Sequence, residues 1–168
     1  MYSVKVKFQR FDDVRLGENL RGTGVYVIWS SKASVKPSYI GKGDILARLS
    51  KHDGKFAFPV RGYVGIVGSS GQKREDKDAK IIEALLLEVA RDTERWPSHN
   101  GKSGHIALVQ RTFQRKGPVR ITVKEYDPFA PPTASRYLHE PKNIWFVQDI
   151  DGNDVVKHHW NKRKKSTR

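Results

Sequence analysis

The sequence predicts an α/β fold of the α+β type, in one compact domain over residues 1–157. Runs of β-branched and aromatic residues, which favour strands, lie between segments with helical periodicity. The chain has 168 residues, of which 37% are hydrophobic. A chain of this size buries about two-thirds of its unfolded surface, so one core with additions at its edges is expected.

Four strands and a short helix are expected in the first part of the chain. The strands are expected over residues 2–9, 25–29, 38–40 and 60–67. Val4, Val6 and Phe8 alternate with polar residues, which predicts a strand with one buried face. Asp44 follows the third run and is placed to cap a helix that continues to residue 51 or so.

The second part predicts one long buried helix followed by strands. The helix is expected over residues 76–95, because the stretch from 81 to 90 is apolar almost all round. The strands are expected over residues 106–109, 119–123 and 144–147. Residues 145–156 are expected to form a hairpin, since an Asp-Gly pair in their middle supplies a positive φ.

The charge of the chain predicts a polyanionic partner. Lys and Arg number 32 and Asp and Glu 18, which gives a net charge of +14. Such a field attracts polyanions and makes their binding sensitive to salt. Residues 158–168 are rich in Lys and Arg and are expected to form a mobile basic tail. Charge therefore favours nucleic acid over a membrane or an acidic protein, but it does not separate binding from cutting.

The composition also bears on the compartment. The chain has no cysteine, which excludes disulfides and thiolate metal sites and suits a reducing cytosol. No apolar run approaches the ~18 residues of a membrane span. The first residues lack the apolar centre of a secretory signal. A cytoplasmic protein that is not secreted and does not bind membranes is expected.

The first candidate site residues in the sequence are two tyrosines. Tyr26 and Tyr39 each lie in a predicted strand beside a glycine, Gly24 or Gly41. A glycine lets backbone or a phosphate approach where a Cβ would intrude. Antiparallel pairing of the two strands would place both phenols on one face, within reach of one phosphate. Simple packing in a half-buried strand is the alternative for either tyrosine alone.

A cation and an imidazole follow on the predicted helix. Arg48 and His52 are four residues apart, so they lie on one helix face. A guanidinium donates two parallel hydrogen bonds to phosphate oxygens, and its positive charge stabilises the negative charge of a phosphoryl transition state. His52 is suited to moving a proton or binding a phosphate. A solvated helix face is the alternative for both.

One carboxylate of the long helix is expected to join these residues. Glu83 and Glu88 are five residues apart, which separates them by about 140° around a helix, so only one of them can face the site. A carboxylate in so apolar a helix needs a cation or donors. A divalent metal ion and an ion pair with Arg91 or Arg95 are the two explanations. Asn100 follows in a turn, where a purely turn-forming role is its alternative.

These residues resemble the GIY-YIG nuclease family. The resemblance covers about residues 22–101 and includes Gly24-Val25-Tyr26, Tyr39-Ile40-Gly41, Arg48, His52, Glu88 and Asn100. The run from Glu83 to Glu88 is similar to the nuclease module of the bacterial nucleotide-excision-repair incision protein. In that module the second glutamate holds the metal, and an asparagine follows it at the separation of twelve seen here between Glu88 and Asn100.

The resemblance implies a small antiparallel three-stranded sheet flanked by helices. The strands predicted in the later part of the chain indicate a β-rich accessory part over about residues 103–157. The resemblance also implies an endonuclease of DNA that depends on Mg²⁺ or Mn²⁺, held by Glu88. Tyr26 with His52 would prepare the attacking water, Tyr39 would fix the phosphate and Arg48 would neutralise its charge. RNA is the alternative substrate, and an inactive binding module or a structural RNA-binding protein is the alternative function. Expected nucleic-acid contacts are Lys42, Lys51, Arg163, Lys164 and Lys165.

Overall fold

The computed structural model describes residues 1–12, 20–29, 35–53, 55, 61–67, 71–101, 104–134 and 137–163. The strands in these ranges are β1 (Tyr2–Phe11), β2 (Thr23–Trp29), β3 (Tyr39–Asp44), β4 (Arg61–Ile66), β5 (Val119–Glu125), β6 (Lys142–Gln148) and β7 (Asp154–His158). The α-helices are α1 (Ile45–Asp53), α2 (Gln72–Asp92) and α3 (Ile106–Lys116), and a short 3₁₀ helix spans Pro132–Ala134.

The described strands form one mixed sheet in the order β3-β2-β4-β1-β5-β6-β7. All neighbouring pairs are antiparallel except β1 and β5, which run parallel. The predicted α+β class is confirmed, but the expected three-stranded sheet is wrong. The strands β3, β2 and β4 do form an antiparallel trio. Because β1 pairs on both of its edges, the trio continues into β5, β6 and β7 and the accessory part shares its sheet.

Helices cover the two faces of the sheet unequally. On one face α2 and α3 pack over alternate strand residues such as Val6, Phe8 and Val27, which are fully buried. On the other face α1 packs through Ile45 and Leu49 in a smaller cluster that includes Tyr26, Ile28 and Val64. This alternation places the side chain of Tyr26 on the face that carries α1.

The helix α2 is the centre of the larger core. Its residues Ile81, Ile82, Leu85, Leu86 and Val89 are fully buried, which confirms the prediction of a buried helix. It begins and ends earlier than expected, and the hydroxyl of Thr93 donates to the carbonyl of Val89 at 2.7 Å just beyond its last turn. None of the helices in the described ranges has the length and apolar character needed to cross a membrane.

One predicted strand is a helix. Residues 106–109 begin α3, whose Ile106, Val109 and Phe113 face the core. Their spacing of three and four residues is helical, but a window of four apolar residues does not separate a strand from the first turn of a helix. Gly117, with φ of 79°, ends the helix and its amide donates to the carbonyl of Phe113 at 2.8 Å.

The predicted hairpin is confirmed as β6 and β7. The carboxylate of Asp149 accepts from the amides of Asp151 and Asn153 at 2.9 and 2.8 Å. Gly152 has φ of 81° in the same turn. The Asp-Gly pair therefore closes the turn, as its conformational preferences predict.

The segment after β7 is anchored as far as it is described. His158 Nε2 lies 2.6 Å from the carboxylate of Asp92, and the indole of Trp160 donates to Asp127 at 2.9 Å. The amide of Arg163 donates to the carbonyl of Thr93 at 3.1 Å. The expected mobile tail therefore does not begin at His158, and residues 164–168 lie outside the described part of the chain.

Candidate active site

A pocket of about 260 Å³ beside the edge strand β3 gathers most of the predicted site. Its lining residues are Tyr26, Tyr39, Lys42, Arg48, Lys51, His52, Lys55 and Glu83. Four predicted catalytic residues and two predicted nucleic-acid contacts thus meet in one place. Asn100 stands just behind β3, whereas Glu88 and Arg163 do not line this pocket. Lys164 and Lys165 lie outside the described residues.

The tyrosines share a face because β2 and β3 pair antiparallel. Tyr26 lies opposite Gly41, and Tyr39 lies opposite Ile28. Their rings stack with centroids 6.0 Å apart. A Cβ on Gly41 would collide with the hydroxyl of Tyr26 and come within 2.6 Å of the Tyr39 ring. Gly41 therefore makes the room in which the two phenols meet.

Gly24 has the first of the two roles expected for these glycines, the close approach of backbone. A Cβ on Gly24 would collide with the backbone carbonyl of Gly65 on β4. Its missing side chain lets β2 and β4 approach each other, and it opens no space toward a phosphate. Gly24 therefore allows the close pairing of β2 and β4, whereas Gly41 leaves space for the two phenols of the pocket.

Tyr26 and His52 form a hydrogen-bonded pair. The Tyr26 hydroxyl lies 3.0 Å from His52 Nε2. Burial raises the pKa of the Tyr26 phenol above its usual value. Burial, helped by the cations of Lys55 and Arg48, lowers the pKa of His52. At neutral pH the phenol therefore keeps its proton and the imidazole is neutral, and the imidazole tautomer sets which of the two groups donates.

The start of α1 positions Arg48. The carboxylate of Asp44 accepts the amide of Ala47 at 3.1 Å, which confirms the predicted cap. Gly43 has φ of 127°, and a Cβ there would press within 3.1 Å of Arg48 Nε. The turn between β3 and α1 thus leaves the guanidinium room to enter the pocket, with His52 one turn further along the helix.

Glu83, and not Glu88, is the carboxylate of the pocket, so the predicted register of α2 is wrong. Glu88 lies elsewhere on the helix, where Arg91 Nη1 is 3.2 Å from its carboxylate, in a separate groove lined by Asp92, Glu94 and residues of α3 and β6. The ion pair with Arg91 was the alternative explanation for a carboxylate on this helix. It holds for Glu88.

The environment of Glu83 disfavours its charge. Burial raises the pKa of its carboxyl from the usual 4.5 to about 7, although Lys42 and Arg48 act to lower it. A carboxyl with such a pKa is only partly ionised at neutral pH. An additional cation at the pocket would restore its charge.

Asn100 acts through the backbone of β3. Its side-chain oxygen accepts the amide of Ile40 at 2.8 Å, and its side-chain nitrogen donates to the carbonyl of Ile40 at 2.9 Å. The indole of Trp96 holds the carbonyl of Asn100 at 2.9 Å. Asn100 thereby forms hydrogen bonds with the backbone of β3, the strand that carries Tyr39 and Gly41. It is a positioning residue and does not line the pocket.

Sequence reasoning missed Lys55 and His105 as well as Glu83. Lys55 follows α1 by two residues and lines the pocket. His105 precedes α3, and burial together with the nearby Lys42 and Lys80 lowers its pKa. Lys55 was detectable as a third basic residue, after Arg48 and Lys51, at the end of the predicted helix. No sequence signal identifies His105, because its neighbourhood depends on how α3 packs.

The donor set limits how a metal ion would bind. Within the described ranges, His, Asp and Glu side chains nowhere gather in threes that could hold a metal ion. Among the residues that the structure describes, Glu83 is the one carboxylate that lines the pocket. The pocket fits a hard divalent cation that takes one protein carboxylate and fills its other positions with water and phosphate oxygens, as Mg²⁺ does.

No family model, curated protein or solved structure matches this chain.

Proposed function

We propose that this protein is a divalent-metal-dependent endonuclease that hydrolyses phosphodiester bonds of DNA, with a GIY-YIG-like core. The observation that carries the proposal is the pairing of Tyr26 with His52 in a pocket shared with Arg48 and Glu83. Such a pocket combines a proton acceptor, a fixed cation and a carboxylate that needs a cation. Phosphoryl transfer requires these three kinds of group.

The cations of the pocket would hold the scissile phosphate. Arg48, Lys42, Lys51 and Lys55 line a space of about 260 Å³. Arg48 offers a planar fork to two phosphoryl oxygens, and its charge persists in the transition state. Tyr39 presents its hydroxyl to the same space, where burial raises its pKa and keeps it a hydrogen-bond donor.

Tyr26 and His52 would move the proton of the attacking water. The raised pKa of Tyr26 makes its phenol a poor base by itself. As the water oxygen attacks phosphorus, its proton passes to the Tyr26 oxygen while the phenol proton passes to His52 Nε2, 3.0 Å away. The bond from phosphorus to the leaving oxygen breaks, and the leaving oxygen takes a proton from solvent. The negative charge that develops on the phosphate stabilises the imidazolium, which then returns its proton to solvent.

Glu83 is the residue that would hold Mg²⁺ or Mn²⁺. When bound, the ion supplies positive charge to the phosphoryl and leaving oxygens. The pKa of about 7 for Glu83 supports this assignment. Burial disfavours the charged carboxylate, and a bound cation would stabilise that charged form. One such site cuts one strand at a time, so cutting both strands requires a dimer or two encounters.

The sheet that carries the pocket is larger than the one that the resemblance implies. The trio β3, β2 and β4, with α1 on one face and α2 on the other, agrees with the small sheet flanked by helices that the resemblance implies. In the part of the chain that the structure describes, four further strands extend that sheet.

A cleavage assay tests the proposal. Supercoiled plasmid, linear duplex and structured RNA are incubated with the protein and Mg²⁺, with and without chelator. Nicking of DNA that the chelator abolishes is the expected result. Binding of DNA without cleavage under any divalent ion would identify an inactive binding module. Exclusive cleavage or binding of RNA would overturn the assignment of DNA.

A further inference from the structure

The sheet has a second exposed surface on the same side as the catalytic pocket. Strand pairing places Tyr26 opposite Val64, and Val64 opposite Gln9 on β1. Directly paired residues point to the same face of a sheet. The face that carries the pocket therefore continues across β1 and onward to β7, beyond the strands that α1 covers.

This face is basic. We define the basic sheet face as the residues on this side of β1, β5, β6 and β7. Its cationic members are Lys5, Lys7, Arg120, Lys124 and Lys157. Its other paired members are Ser3, Gln9, Thr122, Asn143, Trp145, Val147 and Val155. Asp and Glu are absent from these paired positions, and Lys5, Lys7 and Lys157 are exposed.

An acidic groove lies on the opposite side of the sheet. Asp154 is paired with Gln148 on the core face, and it lines the groove that holds Glu88, Asp92 and Glu94. The basic sheet face and the acidic groove therefore lie on opposite sides of the sheet. A surface with five cations and no anion complements a polyanion and repels another basic protein.

The polar groups of the basic sheet face are held in place. The guanidinium of Arg120 lies 5.2 Å from the centroid of the Trp145 ring, and its Nη2 donates to the hydroxyl of Ser3 at 3.2 Å. The hydroxyl of Thr122 donates to Asn143 at 2.8 Å. Because Arg120 covers Trp145, this ring is not free to stack on a base. The Lys and Arg side chains of this face then suit phosphates and not exposed bases.

A concavity lies on the same face of the sheet, over β1 and β4. It encloses about 460 Å³ and is lined by Lys7, Gln9, Val64 and Ile66. Val64 packs with Tyr26 in the smaller core. Six strand spacings separate β3 from β7 along the sheet, which is at most roughly 29 Å, or about eight to nine base pairs of duplex. One DNA molecule is long enough to contact both.

We propose that the basic sheet face is the docking surface for duplex DNA whose scissile phosphate enters the catalytic pocket. The identity of the substrate as DNA rests on the proposed function. The place where it binds rests on the strand pairing, on the exposure of the lysines and on the positive charge of this face. The surface contacts the phosphate backbone and confers affinity without reading the base sequence. Its lysines determine how long a duplex the protein engages.

Two matched triple variants test the surface. The test variant is Lys5→Gln, Lys7→Gln and Lys157→Gln, and the control is Lys73→Gln, Arg115→Gln and Lys116→Gln. Each removes three positive charges from exposed positions, but the control residues lie on α2 and α3, which cover the other face. Binding to a 20-base-pair duplex is measured in chelator by fluorescence anisotropy at several salt concentrations, and thermal unfolding checks the fold.

The test variant should flatten the slope of log affinity against log salt by about two to three, at ~0.9 for each phosphate that the protein no longer neutralises. The control should change the slope by less than one. Equal changes of slope in both variants would mean that only the net charge of the protein matters, and would overturn the proposal. A test variant with the wild-type slope would also overturn it. A single strand that binds as tightly as the duplex and loses as much affinity in the test variant would overturn the assignment to duplex.

This binding experiment is independent of cleavage. A wild-type protein that binds duplex through these lysines but does not nick plasmid in Mg²⁺ would contradict the proposed endonuclease and leave the docking surface intact. A wild-type protein that nicks plasmid while the two variants bind alike would contradict the docking surface alone.

Discussion

Glu83 carries a consequence for activity at the scale of a single residue. Because Glu83 lines the pocket and Glu88 pairs with Arg91 outside it, the two glutamates of one helix form a matched pair. Glu83→Gln should lower the rate of plasmid nicking in Mg²⁺ by at least about 10²-fold. Glu88→Gln should stay within several-fold of the wild-type rate. An inactive Glu88→Gln beside an active Glu83→Gln would return the metal role to Glu88.

The same residue makes stability depend on pH. Folding raises the pKa of Glu83 from 4.5 to about 7, so the folded state holds this proton more tightly than the unfolded state does. The stability that this proton confers is fully present below pH 4.5 and is lost as pH rises through 7. Relative to wild type, Glu83→Gln should therefore gain about 1 to 3 kcal/mol between those limits.

Urea unfolding of both proteins in chelator, from pH 4.5 to pH 8, measures this gain. Glu88→Gln serves as the control and should show no comparable rise. A stability difference between wild type and Glu83→Gln that does not change with pH would mean that the carboxyl of Glu83 titrates normally.

The residues of the pocket differ in how far the sequence predicts them. Tyr26, Tyr39, Arg48 and His52 follow from spacing, because two paired strands and one short helix bring them together locally. Glu83 does not follow, since α2 is buried on nearly all sides and periodicity assigns no single inward face. The ion pair of Glu88 with Arg91 also depends on the tertiary structure.

At the scale of elements, the edge strand β3 depends on Asn100. Two hydrogen bonds join the Asn100 side chain to the backbone of Ile40, between Tyr39 and Gly41. Asn100→Ala should destabilise the fold by about 1 to 3 kcal/mol and speed hydrogen exchange at the amide of Ile40. Ser98→Ala, in the exposed part of the same turn, should change neither. Unchanged exchange in Asn100→Ala would show that β3 does not need this support.

Elements with their own local signals were predictable, and those defined by distant partners were not. The alternation in β1 predicts a strand, but nothing local indicates that it joins β4 on one edge and β5 on the other. The start of α3 has a strand-like composition, and only its packing on the core fixes it as a helix. Local pattern therefore gives most elements, whereas the seven-stranded sheet requires contacts across most of the chain.

At the scale of the whole molecule, the resembling region is not an independent unit. Val6 and Phe8 of β1 are fully buried and β1 pairs with β4, so a fragment of residues 22–101 would expose one edge of β4 and part of the core. That fragment should lack a cooperative thermal transition and should not nick plasmid, whereas residues 1–163 should retain both. Circular dichroism on heating, with the nicking assay, measures this. A cooperative transition in the short fragment would contradict it.

The distribution of charge also becomes visible only at this scale. The net charge of +14 indicates a polyanionic partner, but the sequence does not show that lysines of β1 and β7 lie on one face. The expected role of the C-terminal segment changed for the same reason. Trp160 is buried and Arg163 is held at the end of α2, which the composition of that segment does not reveal.

The position of β1 in the middle of the sheet gives the protein an order of assembly during its synthesis. β1 leaves the ribosome before the strands that flank it, and its parallel partner β5 begins only at Val119. At ~5–20 residues per second, β5 follows by roughly 6 to 23 seconds. Every residue of the pocket has been translated by then, but the lysine of β7 and the cations of β5 have not. A nascent chain that stops early would therefore carry the groups for chemistry without the surface that brings DNA to them.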